Sequence, residues 1–156
     1  ADLLTNALQL GDPVDGGDAT LALTGNGTTA TITDTLTGTA TSAITLTTLA
    51  RLTAVPFANV PVTLNNGILA FTGAGTHSAP ITVAAFLSEI DVAGSVTLTG
   101  AITGGGRLTK SGAGTLTLGA SHTRTGDTVV DAGTLRLTSA CLGTSSDLYV
   151  VGAATL

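Results

Sequence analysis

The chain has no methionine, no tryptophan, one tyrosine, three phenylalanines and a single cysteine. One cysteine forms no intrachain disulfide, so rigidity has to come from packing and backbone pairing. In an exported chain Cys141 is expected to be buried as a small hydrophobe rather than paired with a second molecule. Aromatics reach only 3%, and Phe57, Phe71, Phe86 and Tyr149 cannot furnish the two aromatic girdles of a membrane β-barrel. Charge is scarce as well: 10% of residues, against about 25% in an ordinary soluble domain. Thr, Ser and Asn must therefore wet the surface. Five cations and a formal net charge of −5 argue against nucleic acid or an anionic membrane as partner. No run approaches the roughly 18 apolar residues of a membrane-spanning helix.

What is present in quantity is the aliphatic–threonine alternation. With 43% hydrophobic residues, the chain is too apolar to be disordered, and its 156 residues suit one domain spanning 1–156. Leu21 and Leu23, Ala30 and Ile32, Ile44 and Leu46, and Val62 and Leu64 repeat at every second position. So do Leu69 and Phe71, Ile81 and Val83, Ile90 and Val92, Val96 and Leu98, Leu116 and Leu118, Val130 and Ala132, and Leu135 and Leu137. Period two puts these side chains on one face of a strand and the intervening threonines on the other, where a β-branched hydroxyl side chain packs well. Glu89 and Asp91 flank Ile90 and are expected to point outward together. Helix signals are few. Residues 1–10 read as one or two amphipathic turns, and 82–90 as either helix or strand–bend–strand.

Gly25-Asn26-Gly27, Asn66-Gly67, Gly73-Ala74-Gly75, Gly104-Gly105-Gly106 and Gly112-Ala113-Gly114 punctuate the strands and supply tight corners. Short strands, corners of one to three small residues and a uniformly aliphatic interior favour a β-solenoid of roughly six or seven coils, at about 20–25 residues each. The alternative is a β-sandwich, which ordinarily plants bulky aromatics between its sheets. Residues 1–18 are a candidate N-terminal cap or docking segment.

Residues 94–137, GSVTLTGAITGGGRLTKSGAGTLTLGASHTRTGDTVVDAGTLRL, closely resemble the autotransporter-associated β-strand repeat of bacterial passenger domains. Leu108-Thr109-Lys110, Gly112, Gly114-Thr115-Leu116 and Leu118 match the first half of that pattern. Thr123, Thr125-Gly126, Thr128, Val130 and Ala132-Gly133-Thr134-Leu135 match the second. Residues 64–75 look like a looser relative. Arg124 stands where the family usually has Tyr, and Asp127 where Gly is common; an Arg124–Asp127 contact is expected to replace the aromatic packing. The resemblance implies a right-handed parallel β-helix, exported or displayed outside the cell. It also implies a structural role for the repeat in progressive folding during export, with no catalytic residues to carry over.

Lys110 lies in a glycine-rich stretch, but a phosphate loop needs G-x-x-x-x-G-K-[ST] leading into a helix. Here Lys110-Ser111 leads into a strand, so a solvated corner lysine is expected. Asp12, Asp15 and Asp18 gather around a double glycine and are the candidate calcium ligands, since Ca²⁺ takes six to eight oxygens. A polar turn is the simpler reading, and no cofactor is expected. His77 and His122 have no second His or Cys at ligand spacing and are expected at the surface. A sugar-cleaving site needs clustered charges with a stacking aromatic, which this chain lacks. The reading is therefore non-enzymatic: a structural, extracellular or cell-surface solenoid, with an adhesive or carbohydrate-binding module as the second reading and a polysaccharide-active enzyme third. A start at Ala1-Asp2 is what signal-peptide removal after a small residue leaves. The end at Leu156, in mid-strand, fits either a piece of a longer passenger or self-association through open solenoid ends into filaments.

Overall fold

An alternating strand has one dry face, and short strands joined by tight glycine corners bury that face best by winding around a common interior. The computed structural model describes residues 3–10, 19–38, 41–120, 122–138, 142 and 146–156. Cys141 and the trio Asp12, Asp15 and Asp18 lie outside the described residues. In chain order the strands are β1 (Leu3–Leu10), β2 (Thr20–Thr24), β3 (Thr29–Gly38), β4 (Ala43–Thr47), β5 (Arg51–Ala54) and β6 (Val62–Asn65). Then come β7 (Ile68–Phe71), β8 (Gly75–His77), β9 (Ile81–Val83), β10 (Ser88–Val92), β11 (Ser95–Leu98) and β12 (Ile102–Thr103). The last are β13 (Leu108–Ser111), β14 (Thr115–Leu118), β15 (Thr128–Val130), β16 (Thr134–Leu137) and β17 (Leu148–Val150). No helix occurs among the described residues.

Among the described residues the strands form three sheets. A wide sheet runs β1-β3-β5-β7-β10-β13-β15-β17, a middle sheet β12-β9-β6-β4-β2, and a narrow sheet β16-β14-β11-β8. The ladders are parallel, which makes the protein a β-solenoid and disposes of the sandwich, whose sheets are antiparallel. Along the wide sheet Ala30, Leu52, Leu69, Ile90, Lys110, Val130 and Val150 stand in one column. The steps between them are 22, 17, 21, 20, 20 and 20 residues, at or just below the expected coil length. Residues 1–10, which read as helical turns, instead supply β1, parallel to β3. Tertiary pairing overrides a weak helix signal there. In the stretch 82–90 the strand–bend–strand reading holds.

The core is the stack of inward columns. Ile44, Val62, Ile81 and Ile102 line the middle sheet, and Val96, Leu116 and Leu135 the narrow one; all are buried. Outward columns are threonine: Thr45, Thr63, Thr82 and Thr103 on the middle sheet, with Thr82 and Thr103 hydroxyls 3.3 Å apart. On the narrow sheet Thr76, Thr97 and Thr117 lead to Arg136. The outer face of the wide sheet carries an ion pair and a charge-assisted hydrogen bond. Glu89 and Asp91 both face outward on β10 while Ile90 is buried; Ser111 donates to Glu89 and Arg51 bridges to Asp91.

The cross-section changes along the axis. From β3 to β7 the chain alternates between wide and middle sheets, and residues 55–61 cover the third side without a strand, burying Phe57 and Val60. Among the described residues the narrow sheet begins at β8. The interior at this transition is aromatic, with Phe57, Phe71 and His77 in mutual contact, so the expectation of a uniformly aliphatic interior fails here. Phe57, from the strandless side of β5's coil, fills the interior there against Phe71 and His77.

Packing this dense makes inward and outward positions energetically unequal. Ile90→Ala should cost about 3 kcal/mol of unfolding free energy through the cavity left between Leu69 and Lys110. Thr82→Val on the outer face should stay within about 0.5 kcal/mol. Denaturant midpoints at constant m-value measure both.

Candidate functional site at the coil corners

Two buried cations, Lys110 and Arg124, meet backbone carbonyls at the corners between strands. Lys110 is the inward residue of β13, in register with Ile90 below and Val130 above. Its stem belongs to the aliphatic column, and its side chain is 0% exposed. The ammonium reaches sideways to the corner and donates to three backbone carbonyls: Ser111 at 2.6 Å, Gly112 at 2.8 Å and Ala132 at 2.9 Å. The first two belong to its own corner and the third to the next coil. Burial lowers the Lys110 pKa, and the charge of Asp91 opposes that shift. The expected solvated lysine is thus wrong. An inward position on a stacked strand has no path to water, so the charge is met by carbonyls instead.

Glycine makes this corner possible. Gly112 has φ +74°, and a Cβ there would lie 2.4 Å from the Val92 carbonyl of the coil below. Gly133, one coil further on, repeats the arrangement at φ +67° against the carbonyls of Gly112 and Gly114. Backbones stacked this closely exclude any side chain, and both residues occupy left-handed φ, which L-residues adopt at a cost.

A second buried cation closes the corner between β14 and β15. Arg124 is 4% exposed. Its Nη1 donates to the carbonyls of Gly106 at 3.3 Å, Asp127 at 2.7 Å and Gly126, and its Nη2 to the Thr128 hydroxyl. The expected Arg124–Asp127 contact exists, with the Asp127 backbone carbonyl as acceptor. Desolvation lowers the Arg124 pKa, and the Asp127 charge opposes it. Beside it, His122 is buried rather than at the surface. Its Nδ1 accepts the Ile102 amide at 2.9 Å, doing the work of a carbonyl where the coil has no middle-sheet strand. Burial, then the charge of Arg124, lowers the His122 pKa.

His77 is also buried, at 0% exposure, against the surface position expected. Its ring meets Phe57 edge-on at 4.6 Å between centroids and Phe71 at 5.7 Å, and neither ring nitrogen has a well-aligned partner. Desolvation brings its pKa down to about 4, with the Phe57 backbone pulling the other way. Ser88 is a further inward polar residue that alternation alone missed. Its hydroxyl donates to the carbonyls of Leu64 and Ala85. A serine three residues after a small corner residue was the available signal. Among the described residues no group of three His, Cys, Asp or Glu side chains stands where it could hold a metal ion, and no helix is long and apolar enough to cross a membrane.

One corner is apolar on the outside. Leu49 (φ 61°), Phe86 and Leu87 are exposed, Phe86 by 60%. They are tied across coils by Leu49 N–H to the Asn66 carbonyl and Leu87 N–H to the Asn66 side chain. The Arg107 guanidinium lies 4.0 Å above the Phe86 ring.

Residues 108–137 match the passenger-associated-transport-repeat family. They hold the Leu108, Lys110, Gly112, Gly114, Leu116 and Leu118 corner and its continuation through Gly126, Val130, Gly133 and Leu135. The chain is also 41% identical over 85 residues, 51% of its length, to the adhesin BmaC autotransporter of Brucella suis biovar 1 (strain 1330). It spans about 2% of that relative's length. No solved structure matches the chain.

Two measurements test the corner chemistry. Lys110→Met keeps the stem and strips the ammonium from three carbonyls, and should lower stability by roughly 2 kcal/mol, read from the denaturation midpoint. For His77 the folded pKa lies below the ordinary imidazole value of 6.5, so the unfolded chain binds more protons between pH 6.5 and about 4. Stability should therefore be full above pH 6.5, fall by roughly 3 kcal/mol as pH drops to about 4, and level off below, and His77→Phe should remove this component.

Proposed function

We propose that the chain is a non-catalytic, structural segment of an exported bacterial surface passenger, one solenoid domain over 1–156 with 1–18 as an N-terminal cap or docking segment. The observation that carries this reading is where the reactive side chains point. Lys110 and Arg124 donate to backbone carbonyls inside the repeat, and His122 accepts a backbone amide. Groups that would serve a substrate instead hold one coil to the next. The match of 108–137 to a passenger repeat and the likeness to an autotransporter adhesin support export and display at the cell surface. The parallel pairing of β1 with β3 supports a stack that includes Leu3–Leu10.

An adhesive role is favoured by a separate observation, the exposed corner of Leu49, Phe86 and Leu87 under Arg107. Isolated apolar side chains are ordinary on a surface, while a contiguous group marks a contact. End-to-end stacking of copies belongs to the same reading, because an open edge of a parallel ladder can pair with another strand.

Expressed within an autotransporter passenger on intact Gram-negative cells, the segment should be accessible to added protease. Deleting 108–137 should reduce the displayed passenger severalfold at equal synthesis. Undiminished display would remove the repeat from that role. Phe86→Ser with Leu87→Ser should leave display intact and lower attachment to host cells if the corner is adhesive. Electron microscopy of the purified chain over a concentration series decides stacking, with growing filaments supporting it and monomers at every concentration opposing it.

A further inference from the structure

Phe57, Phe71 and His77 occupy the place where the solenoid passes from two strand-bearing sides to three. Phe57 comes from the strandless segment 55–61, Phe71 from the end of β7, and His77 from β8, the first strand of the narrow sheet. The three rings lie 4.6 to 6.2 Å apart. Leu98 of β11 stands in register on His77 from the next coil, and Pro56 sits within 3.4 Å of where a Cβ on Gly75 would be. The imidazole is thus boxed in by apolar side chains; neither nitrogen makes a well-aligned hydrogen bond, and the Phe57 backbone is the polar group beside it that favours the charged form.

No opposite charge faces it. Segment 55–61, β7, β8 apart from His77 itself, β9 and β11 carry no titratable side chain. The charged residues of the adjoining strands, Arg51 on β5 and Glu89 and Asp91 on β10, stand on the outer face of the wide sheet. A proton arriving on the ring would place a positive charge and a second N–H donor in this box. The Phe57 and Phe71 faces attract a cation weakly, and that does not replace lost hydration.

We propose that this box is an acid-operated joint, in which protonation of His77 releases segment 55–61 and β8 outward and exposes Phe57, while the wide sheet keeps the coils in register. The two sides of the box differ in how they are held. Segment 55–61 has no strand ladder, and β8 is three residues long and pairs only with β11. Strands β5, β7 and β10, by contrast, are joined in continuous four-residue register. The weakest-held elements are therefore those that touch the titrating ring, and local opening there costs less than unzipping the stack. In a surface-displayed chain the consequence is an apolar loop presented only in acid.

Hydrogen exchange of the intact chain, corrected for the intrinsic pH dependence of exchange, tests the joint alongside ring titration of isotopically labelled His77. Protection of the β8 amides and of the Thr99 amide, which donates to the His77 carbonyl, should fall by roughly tenfold per pH unit between the ordinary imidazole value of 6.5 and about 4, while β5, β7 and β10 stay protected. The ring itself should titrate at the lower end of that window. His77→Phe should hold the same amides closed in acid. The proposal is overturned if the Thr99 amide stays protected at pH 4, if all sheets open together, if the wild-type ring titrates near 6.5, or if a folded His77→Phe chain opens in the same way. Should that variant not fold, the wild-type exchange map and ring titration alone decide.

Discussion

Parallel in-register stacking at ~4.8 Å is the constraint on which everything else in this protein depends. Once a strand lies on its predecessor, each side chain must be tolerated by the residue directly above and below it. An aliphatic column such as Leu52, Leu69 and Ile90 satisfies that requirement, and so does the outer threonine column of the middle sheet. The same spacing forbids side chains wherever backbones meet at a corner, which explains Gly112 and Gly133. It also removes the need for disulfides, many charges or a large aromatic core, because each coil's backbone groups are paired by its neighbours.

Buried charge is the price of closing the corners, and the structure meets it with backbone. Corners turn the carbonyl groups away from the strand ladders. A long cation from an inward position can collect several of them, as Lys110 does with three and Arg124 with another three. Each cation bonds to carbonyls in more than one coil. Removing either would loosen the contact between coils more than it would hollow out the core. Lys110, Arg124 and His122 thus act on the chain itself: their partners are carbonyls, a threonine hydroxyl and a backbone amide.

Much of the fold was visible in the alternation. Val96 and Leu98, or Leu116 and Leu118, declare an inward face without ambiguity, and their Thr partners an outward one. The corner glycines were equally plain, since few other residues populate left-handed φ. What went astray were the residues whose type suggests water. Lys110, His77 and His122 were expected at the surface because polarity is usually a guide to exposure. That guide fails where period-two geometry puts a polar residue on the inward side, and Lys110 indeed sits two positions from Leu108 on one face. Residues 1–10 misled for the opposite reason: a short stretch of good helix formers has little preference of its own and follows the sheet it can join.

By itself the sequence determined an all-β stacked architecture, its coil length, its dry and wet faces and the repeat at 108–137, because these depend on local periodicity and on backbone angles that only glycine tolerates. The tertiary structure alone decided which carbonyls meet Lys110 and Arg124. It also decided that His77 lies in an aromatic box, and where two strand-bearing sides become three. Those outcomes depend on the register between coils about 20 residues apart, set by loop lengths such as the short step from Leu52 to Leu69. A shift of one position there would turn every inward side chain out.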